Sequence, residues 1–513
     1  MSKWLDNAVF YEIYPQSFQD SNGDGIGDFR GIISRLDYIK DLGCNAIWVN
    51  PCYVSPFADA GYDVADYKKI APRYGTNEDA KELFEEVHKR GMHIILDLVP
   101  GHTSIEHPWF KESMKAERNE YTDRYVWTDS IWTSPENMAT IRGISERDGS
   151  CVVNFFSTQP ALNYGFYEKD ASWQMDPEEE GPKATLEAMM DVMAFWLDMG
   201  CDGFRVDMAG SLVKNDPEGK GTIALWNKVR DFLDKKYPEA AMVSEWGEPE
   251  KSLQGGFHMD FLLQFGTSYY CDLFRGDTPY FARKGEGTIA RFVNRYKENM
   301  VRTEGKGLMC IPSSNHDTDR LSYSLDEEET KIAYAFLLSM PGAPFLYYGD
   351  EIGMRYMPNR VSVEGGYNRT GTRTPMQWDD TKNAGFSTAG EEKLYMPLDP
   401  DPNRPTVKNC KAREDSLYYE IKELIQIRMA HPALLSKGAI EFVYAEENAY
   451  PFAYIRQSEN EKIMVILNPS GKEAAFAFDG EFSETVYSHG GEIRFEQNKI
   501  IAPAGSANFV LLK

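Results

Sequence analysis

Asp198-Met-Gly-Cys-Asp-Gly-Phe-Arg-Val-Asp207 runs from a helix end, through a glycine stop, into a short apolar strand tipped by a carboxylate. Asp41-Leu-Gly-Cys-Asn-Ala-Ile-Trp-Val49 repeats the pattern earlier in the chain. Working outward, eight short apolar runs read as strands: 9–14, 46–50, 93–99, 203–207, 241–245, 257–263, 308–313 and 344–348. Helical periodicity fills 29–42, 78–90, 185–199, 222–236, 327–340 and 417–430. In 78–90, Ala80, Leu83, Phe84 and Val87 share one face behind the candidate caps Thr76 and Asn77. In 417–430 the stripe is Leu417, Tyr418, Ile421, Leu424 and Ile425. Eight strands alternating with such helices predict an α/β fold of βα units, a closed (β/α)8 TIM barrel rather than an open sheet.

One connection is too long for a plain loop. After the third strand it runs from 101 to 184, and connections of that length carry structure or function. It reads as a subdomain inserted over the C-terminal face of the barrel. Beyond 435 the texture becomes alternating and β-rich, at 440–444, 452–456, 462–467, 474–478 and 507–512, which predicts a small antiparallel β-sandwich. The expected division is a barrel of 1–101 and 167–434, an inserted subdomain of 102–166, and a C-terminal sandwich of 435–513.

The composition narrows the partners. Of 513 residues, 42% are hydrophobic and 13% aromatic, enough for a large core, with aromatics that also suit sugar stacking. The formal charge of −25 disfavours nucleic acid and an anionic membrane face. No apolar run is long enough to span a membrane, and the N-terminus carries no secretion segment. The cysteines at 44, 52, 151, 201, 271, 310 and 410 are odd in number and scattered, with no Cys-x-x-Cys pair. They read as reduced core thiols of a cytoplasmic protein, a monomer or weak oligomer.

Barrel chemistry sits at the C-terminal strand ends. Those ends carry Asp97 to His102, Arg205 and Asp207, Glu245, and His316 with Asp317. Each alone reads as a cap or a surface charge; at consistent strand ends the set reads as a site. Cleaving a sugar acetal needs an acid for the leaving oxygen and an anion for the developing oxocarbenium ion. Arg205, two residues before Asp207 and on the same strand face, is expected to keep that carboxylate ionised as nucleophile. Glu245, beside Trp246, is the better acid. Asp317 can hold sugar hydroxyls, with His102 and His316 as donors. A second constellation is Asp20-Ser-Asn22-Gly-Asp24-Gly25-Ile26-Gly-Asp28. It follows the EF-hand loop pattern, with Gly31 where the bidentate Glu would stand.

Asp97-Leu-Val-Pro-Gly-His102, Gly203-Phe-Arg-Val-Asp207, Glu245 and Asn315-His-Asp317 resemble the four signature regions of the α-amylase family of glycoside hydrolases. Gln159-Pro-Ala-Leu-Asn163 resembles its fifth. The resemblance runs in order from about residue 8 to 430. It implies a retaining α-glucan enzyme with Asp207 as nucleophile, Glu245 as acid/base and Asp317 as transition-state stabiliser. It also implies one structural Ca2+ or Mg2+ in the 20–28 loop, on Asp20, Asn22, Asp24, Ile26 and Asp28. Asp59-Ala-Gly-Tyr62-Asp-Val-Ala-Asp-Tyr67 and Arg373-Thr-Pro-Met-Gln-Trp-Asp379 are similar to the oligo-1,6-glucosidase and α-glucosidase branch. There the Asp and Tyr line the terminal glucose subsite and the Arg pairs with the Asp, so an Asp59–Arg373 pair is expected here. Two positions depart from that branch. Ala161 stands where an acid is usual, and Met208 where Val or Thr follows the nucleophile. The linkage, α-1,4 or α-1,6, stays open on these residues.

The reading is a retaining hydrolase of α-glucosidic bonds in maltose-like oligosaccharides. Beside it stand an endo-acting α-amylase, a glucanotransferase or trehalose synthase on the same scaffold, and, remotely, a non-catalytic calcium-dependent sugar-binding protein.

Overall fold

The computed structural model describes residues 2–513. Eight strands form one parallel sheet: β1 Phe10–Ile13, β2 Ala46–Val49, β3 His93–Leu98, β4 Gly203–Val206, β5 Ala241–Ser244, β6 Met259–Phe261, β7 Leu308–Cys310 and β8 Phe345–Tyr347. Their order is sequential, with β8 beside β1. A parallel bridge between Pro312 and Phe345, with Ser313 N donating to the Phe345 carbonyl at 2.9 Å, closes the ring.

Each strand is followed by a helix: α1 Phe29–Leu42, α2 Asn77–Lys89, α3 Glu180–Met199, α4 Lys220–Lys236, α5 Pro249–Gln254, α6 Ala290–Thr303, α7 Glu327–Ser339 and α8 Leu417–Ala430. Thr76 and Asp79 close a reciprocal capping box on α2. Gly43 and Gly200 end α1 and α3 in the left-handed conformation, as the repeated helix–Gly–strand pattern requires. Helix α5 is too short to show a period; α6 buries Phe292, Val293, Tyr296 and Asn299 at helical spacing, a signal the expected helices leave out.

Strand alternation divides the side chains between two cores. Phe10, Trp48, Ile95, Val243, Phe261 and Phe345 fill the barrel interior. Ile47, Ile94, Leu96, Phe204, Val206 and Met242 face the helices. Gly203 (φ +150°) opens β4 against β5; a Cβ there would lie 2.1 Å from the Ala241 carbonyl oxygen. Between β3 and α3 lie a short helix, Pro108–Ser113, and a hairpin pairing Thr140–Ile141 with Cys151–Val152. The C-terminal region has a five-stranded and a three-stranded antiparallel sheet. The strands Phe482–His489, Arg494–Glu496 and Lys499–Ala502 join the five expected there. No helix among the described residues is long and apolar enough to cross a membrane.

Candidate active site

The register of β4 and β5 sets Val206 beside Ser244, so Asp207 and Glu245 leave the sheet side by side. Arg205 lies on the interior face of β4, paired in register with Asp97 on β3. Its Nη1 is 2.8 Å from Asp97 Oδ1 and 3.1 Å from Asp207 Oδ1, and its Nη2 is 2.8 Å from Glu245 Oε1. Three carboxylates share one buried guanidinium. Burial and the Glu245 charge push the Asp207 carboxyl well above its usual range, against Arg205. Burial likewise lifts Asp97 to about 6 in spite of Arg205. One cation against three buried carboxylates is the physical reason both Asp207 and Asp97 are raised. Glu245 Oε2 also accepts from Met208 N at 3.1 Å. Met208 stands at φ 44°, a left-handed conformation that costs free energy in a residue with a side chain.

Asp317 is not at a strand tip. β7 ends at Cys310, and Asp317 stands on a turn in which Asn315 Oδ1 accepts from its backbone N–H at 2.8 Å. Burial opposes its charge. His316, Arg373 and Arg369 outweigh burial and hold the carboxyl well below the usual carboxylate range.

The expected Asp59–Arg373 pair does not form. Arg373 Nη2 lies 2.7 Å from Asp317 Oδ1, and its Nε donates to the His316 carbonyl at 2.8 Å. Arg369 takes its place, with Nη2 3.6 Å from Asp59 Oδ1 and Nη1 3.1 Å from Asp317 Oδ1. The 3-10 turn Tyr367–Thr372 causes the difference: it leaves Arg369 partly exposed and Arg373 1% exposed. Asp59 Oδ2 accepts from Gln159 Nε2 at 2.7 Å.

These groups surround a cavity of about 420 Å3. Asp59, Tyr62, His102, Asp207, Glu245 and Asp317 are on its wall, with Met208 and Arg369. Phe155, Phe156, Phe265 and Tyr367 add an aromatic collar. Arg205, His316 and Arg373 do not line it; they sit behind the carboxylates and hold them. Tyr62 Oη lies 2.6 Å from His316 Nε2 and 3.1 Å from Asp97 Oδ2. Burial pushes His102 down to about 4, so the ring is neutral at physiological pH.

A model of the α-amylase catalytic domain matches residues 12–438. The chain belongs to the α-amylase family. Within the family it is 33% identical to an oligo-1,6-glucosidase of Parageobacillus thermoglucosidasius, over 92% of each chain. It is 32% identical to a glucan 1,6-alpha-glucosidase of Streptococcus pneumoniae, over 98% of each. It is also 34% identical to a trehalose synthase/amylase of Mycobacterium tuberculosis, covering 88% of this chain and 79% of that one. The structure superposes on trehalulose synthase from Pseudomonas mesoacidophila MX-45 with a TM-score of 0.83, at 25% identity over the full length of both.

Several site residues of this α-amylase family chain escape a sequence reading. Arg369 had one available signal, its place four residues before Arg373 in Asn368-Arg-Thr-Gly-Thr-Arg373. The collar aromatics had none beyond the Phe155-Phe156 doublet.

The 20–28 loop is a string of Asx turns. Asp20 accepts from Asn22, Gly23 and Gly25 N–H and from Ser387 Oγ. Asp28 caps α1 and accepts from Ser21. Four donors fill the lone pairs of Asp20. Asn22 and Asp24 each accept one bond, so they keep free acceptor sites, as does Asp28. With the Ile26 carbonyl they make the mixed oxygen set that hard cations take. Asp20 is the member that fits poorly. Among the described residues no three His, Cys, Asp or Glu side chains converge as a metal cage.

Proposed function

We propose that this chain is a retaining glycosidase that cleaves α-glucosidic bonds in maltose-like oligosaccharides. The observation that carries it is the single guanidinium of Arg205 bound to both Asp207 and Glu245. Two carboxylates on adjacent nitrogens of one guanidinium favour the ~5–5.5 Å spacing of retaining enzymes over the wider gap that inversion needs. Asp207, as carboxylate, attacks the anomeric carbon while Glu245, as the acid, gives its proton to the leaving oxygen. Breaking the glycosidic bond forms a glycosyl ester on Asp207. Glu245 then takes a proton from water, whose oxygen displaces the ester with a second inversion. Asp317, ionised by its arginines, holds sugar hydroxyls against the developing charge. The Asp59–Arg369 wall closes one end of the cavity and supports exo cleavage.

Proton NMR of fresh hydrolysate tests this: the first product should carry the α-anomer. Asp207→Asn should lose about 10⁴-fold or more in kcat. A β-anomer as first product, or turnover retained in Asp207→Asn, refutes the mechanism.

Transfer to a sugar acceptor is the second reading. The Phe156–Tyr367 ring pair, 5.9 Å apart, favours it, since it would shield the glycosyl ester from water. Products longer than the substrate from maltotriose, or trehalose from maltose, would decide for it.

A structural Ca2+ or Mg2+ on Asn22, Asp24, Asp28 and the Ile26 carbonyl, with Asp20 rearranged toward it, is proposed on the donor chemistry of that loop. Thermal melting with chelator and with added ion reads it: bound ion raises Tm, and superimposable melts exclude it. Seven unpaired thiols support a reducing, cytoplasmic setting.

A further inference from the structure

His102 lines the cavity, and its ring is held from behind by residues that no catalytic role accounts for. Asn154, at the end of the inserted hairpin, donates from Nδ2 to the Gly101 carbonyl at 2.9 Å and lies 3.2 Å from His102 Nδ1. Lys214, in the segment between β4 and α4, donates to Asn154 Oδ1 at 3.1 Å and to the Ser211 carbonyl at 2.9 Å. The direction of this chain is determined. An ammonium only donates, so it fixes the amide oxygen on its side. Turning the amide over would face an NH2 against the ammonium and an oxygen against the Gly101 carbonyl. The amide nitrogen therefore points at His102, and Nδ1 must accept. The other ring nitrogen, Nε2, is 3.0 Å from the Tyr62 carbonyl, which only accepts, so Nε2 carries the proton.

The backbone makes room for this arrangement. A Cβ on Gly101 would stand 2.8 Å from Asn154 Nδ2. The glycine in Asp97-Leu-Val-Pro-Gly-His102 is thus a cradle for the amide.

We propose that Asn154, oriented by Lys214, is a positioning residue that fixes His102 as the Nε2-protonated tautomer and sets the ring plane against the cavity. It rests on the glycosidase reading only for its effect on substrate. The segment inserted after β3 also pairs with the loop after β4 through its backbone, Tyr167 N donating to the Lys214 carbonyl and Lys214 N to the Gly165 carbonyl, both at 2.9 Å; the Asn154 amide carries that junction to the ring.

The test uses the full-length protein with 15N-labelled histidine, the His102 signals being assigned by their loss in His102→Gln. In the wild type, Nδ1 should show the shift of an unprotonated nitrogen. Asn154→Asp replaces the donor with a second acceptor and should move a proton onto Nδ1. Lys214→Met should broaden or mix the two tautomers, and Lys214→Arg should restore the wild-type pattern. For maltose, Asn154→Asp should raise KM about tenfold, because the ring whose face walls the cavity loses its set plane, with kcat changed less. Gly101→Ala should act in the same direction. An unprotonated Nδ1 in Asn154→Asp, in a protein with wild-type melting, overturns the proposal, as does an unchanged KM. Should the expected tautomers appear in a protein that turns over no α-glucoside, the functional reading fails and the positioning role stands.

Discussion

Arg205 and Asp260 show how burial decides the charge of single residues. Arg205 is surrounded by three carboxylates, so its proton stays and theirs are in question. Asp260 on β6 accepts only neutral donors: Ser244 Oγ at 2.7 Å, Trp246 N at 3.2 Å and Gly247 N at 3.4 Å. Burial pushes its carboxyl up to about 7, against ~4 in the unfolded chain. Between those values the folded state binds more protons than the unfolded one. The stability Asp260 contributes is therefore present below pH ~4 and lost as pH rises through about 7. Glu351, held by Tyr11 and Tyr38, is likewise raised by burial to about 7 and has the same sign. Asp317 has the opposite sign: its depressed carboxyl contributes stability above ~4, lost only as pH falls further. Asp260→Asn should flatten the fall of Tm between pH 4 and 8, and a profile parallel to the wild type would refute a protonated Asp260. None of this is legible in sequence. Met259-Asp-Phe261 reads as an apolar strand with a stray acid, and only the fold shows that no cation meets it.

Elements show a sharper division. All eight strands are legible within a few residues at each end, because short apolar runs between glycine-stopped helices have few alternatives. Helix α6 is the element passed over: Phe292, Val293 and Tyr296 keep helical spacing, but Ile289 makes no side-chain cap and the start signal is displaced to Thr288, whose Oγ1 accepts from Ala290 N at 3.3 Å. The β7 end is misread for a related reason. Ile311-Pro312 extends the apolar run, yet Pro312 lacks an N–H and Asn315 folds the chain into a turn. The β4–β5 pair that carries Asp207 and Glu245 depends on the absence of a side chain at Gly203. Gly203→Ala should force the strands apart at Ala241 and cost at least 3 kcal/mol, on the order of a severe overpacking. Denaturant unfolding with activity measured alongside checks it, and wild-type stability would exclude so tight a contact.

The whole molecule is tied together at the end of α7. Arg428 on α8 donates to the carbonyls of Leu338, Met340 and Gly342, at 2.8, 2.9 and 2.6 Å. Arg456, from strand Phe452–Gln457, donates to Ser339 and to the Leu435 and Gly438 carbonyls. Tyr454 Oη meets Ser339 Oγ at 2.6 Å, and Phe452 packs on Phe336 at 6.1 Å. The last carbonyls of α7 are thus satisfied partly from the C-terminal sheets. A chain ending at residue 435 should lose cooperative unfolding and its near-ultraviolet circular dichroism. A truncated chain melting within a few degrees of the full one would show that the barrel stands alone.

Hydrophobic period, glycine stops and strand-end acids determined the barrel, its order and the residues Asp207 and Glu245, and the Asn315-His-Asp317 motif marked Asp317, because these signals are local and each is written in a few consecutive positions. Which arginine faces Asp59, that Arg205 serves three carboxylates, that Asn154 and Lys214 orient His102, and that Asp260 has no counter-charge were decided by tertiary structure alone. Those facts are distances between residues far apart in the chain, and burial, which sets their electrostatic weight, exists only once the barrel has closed.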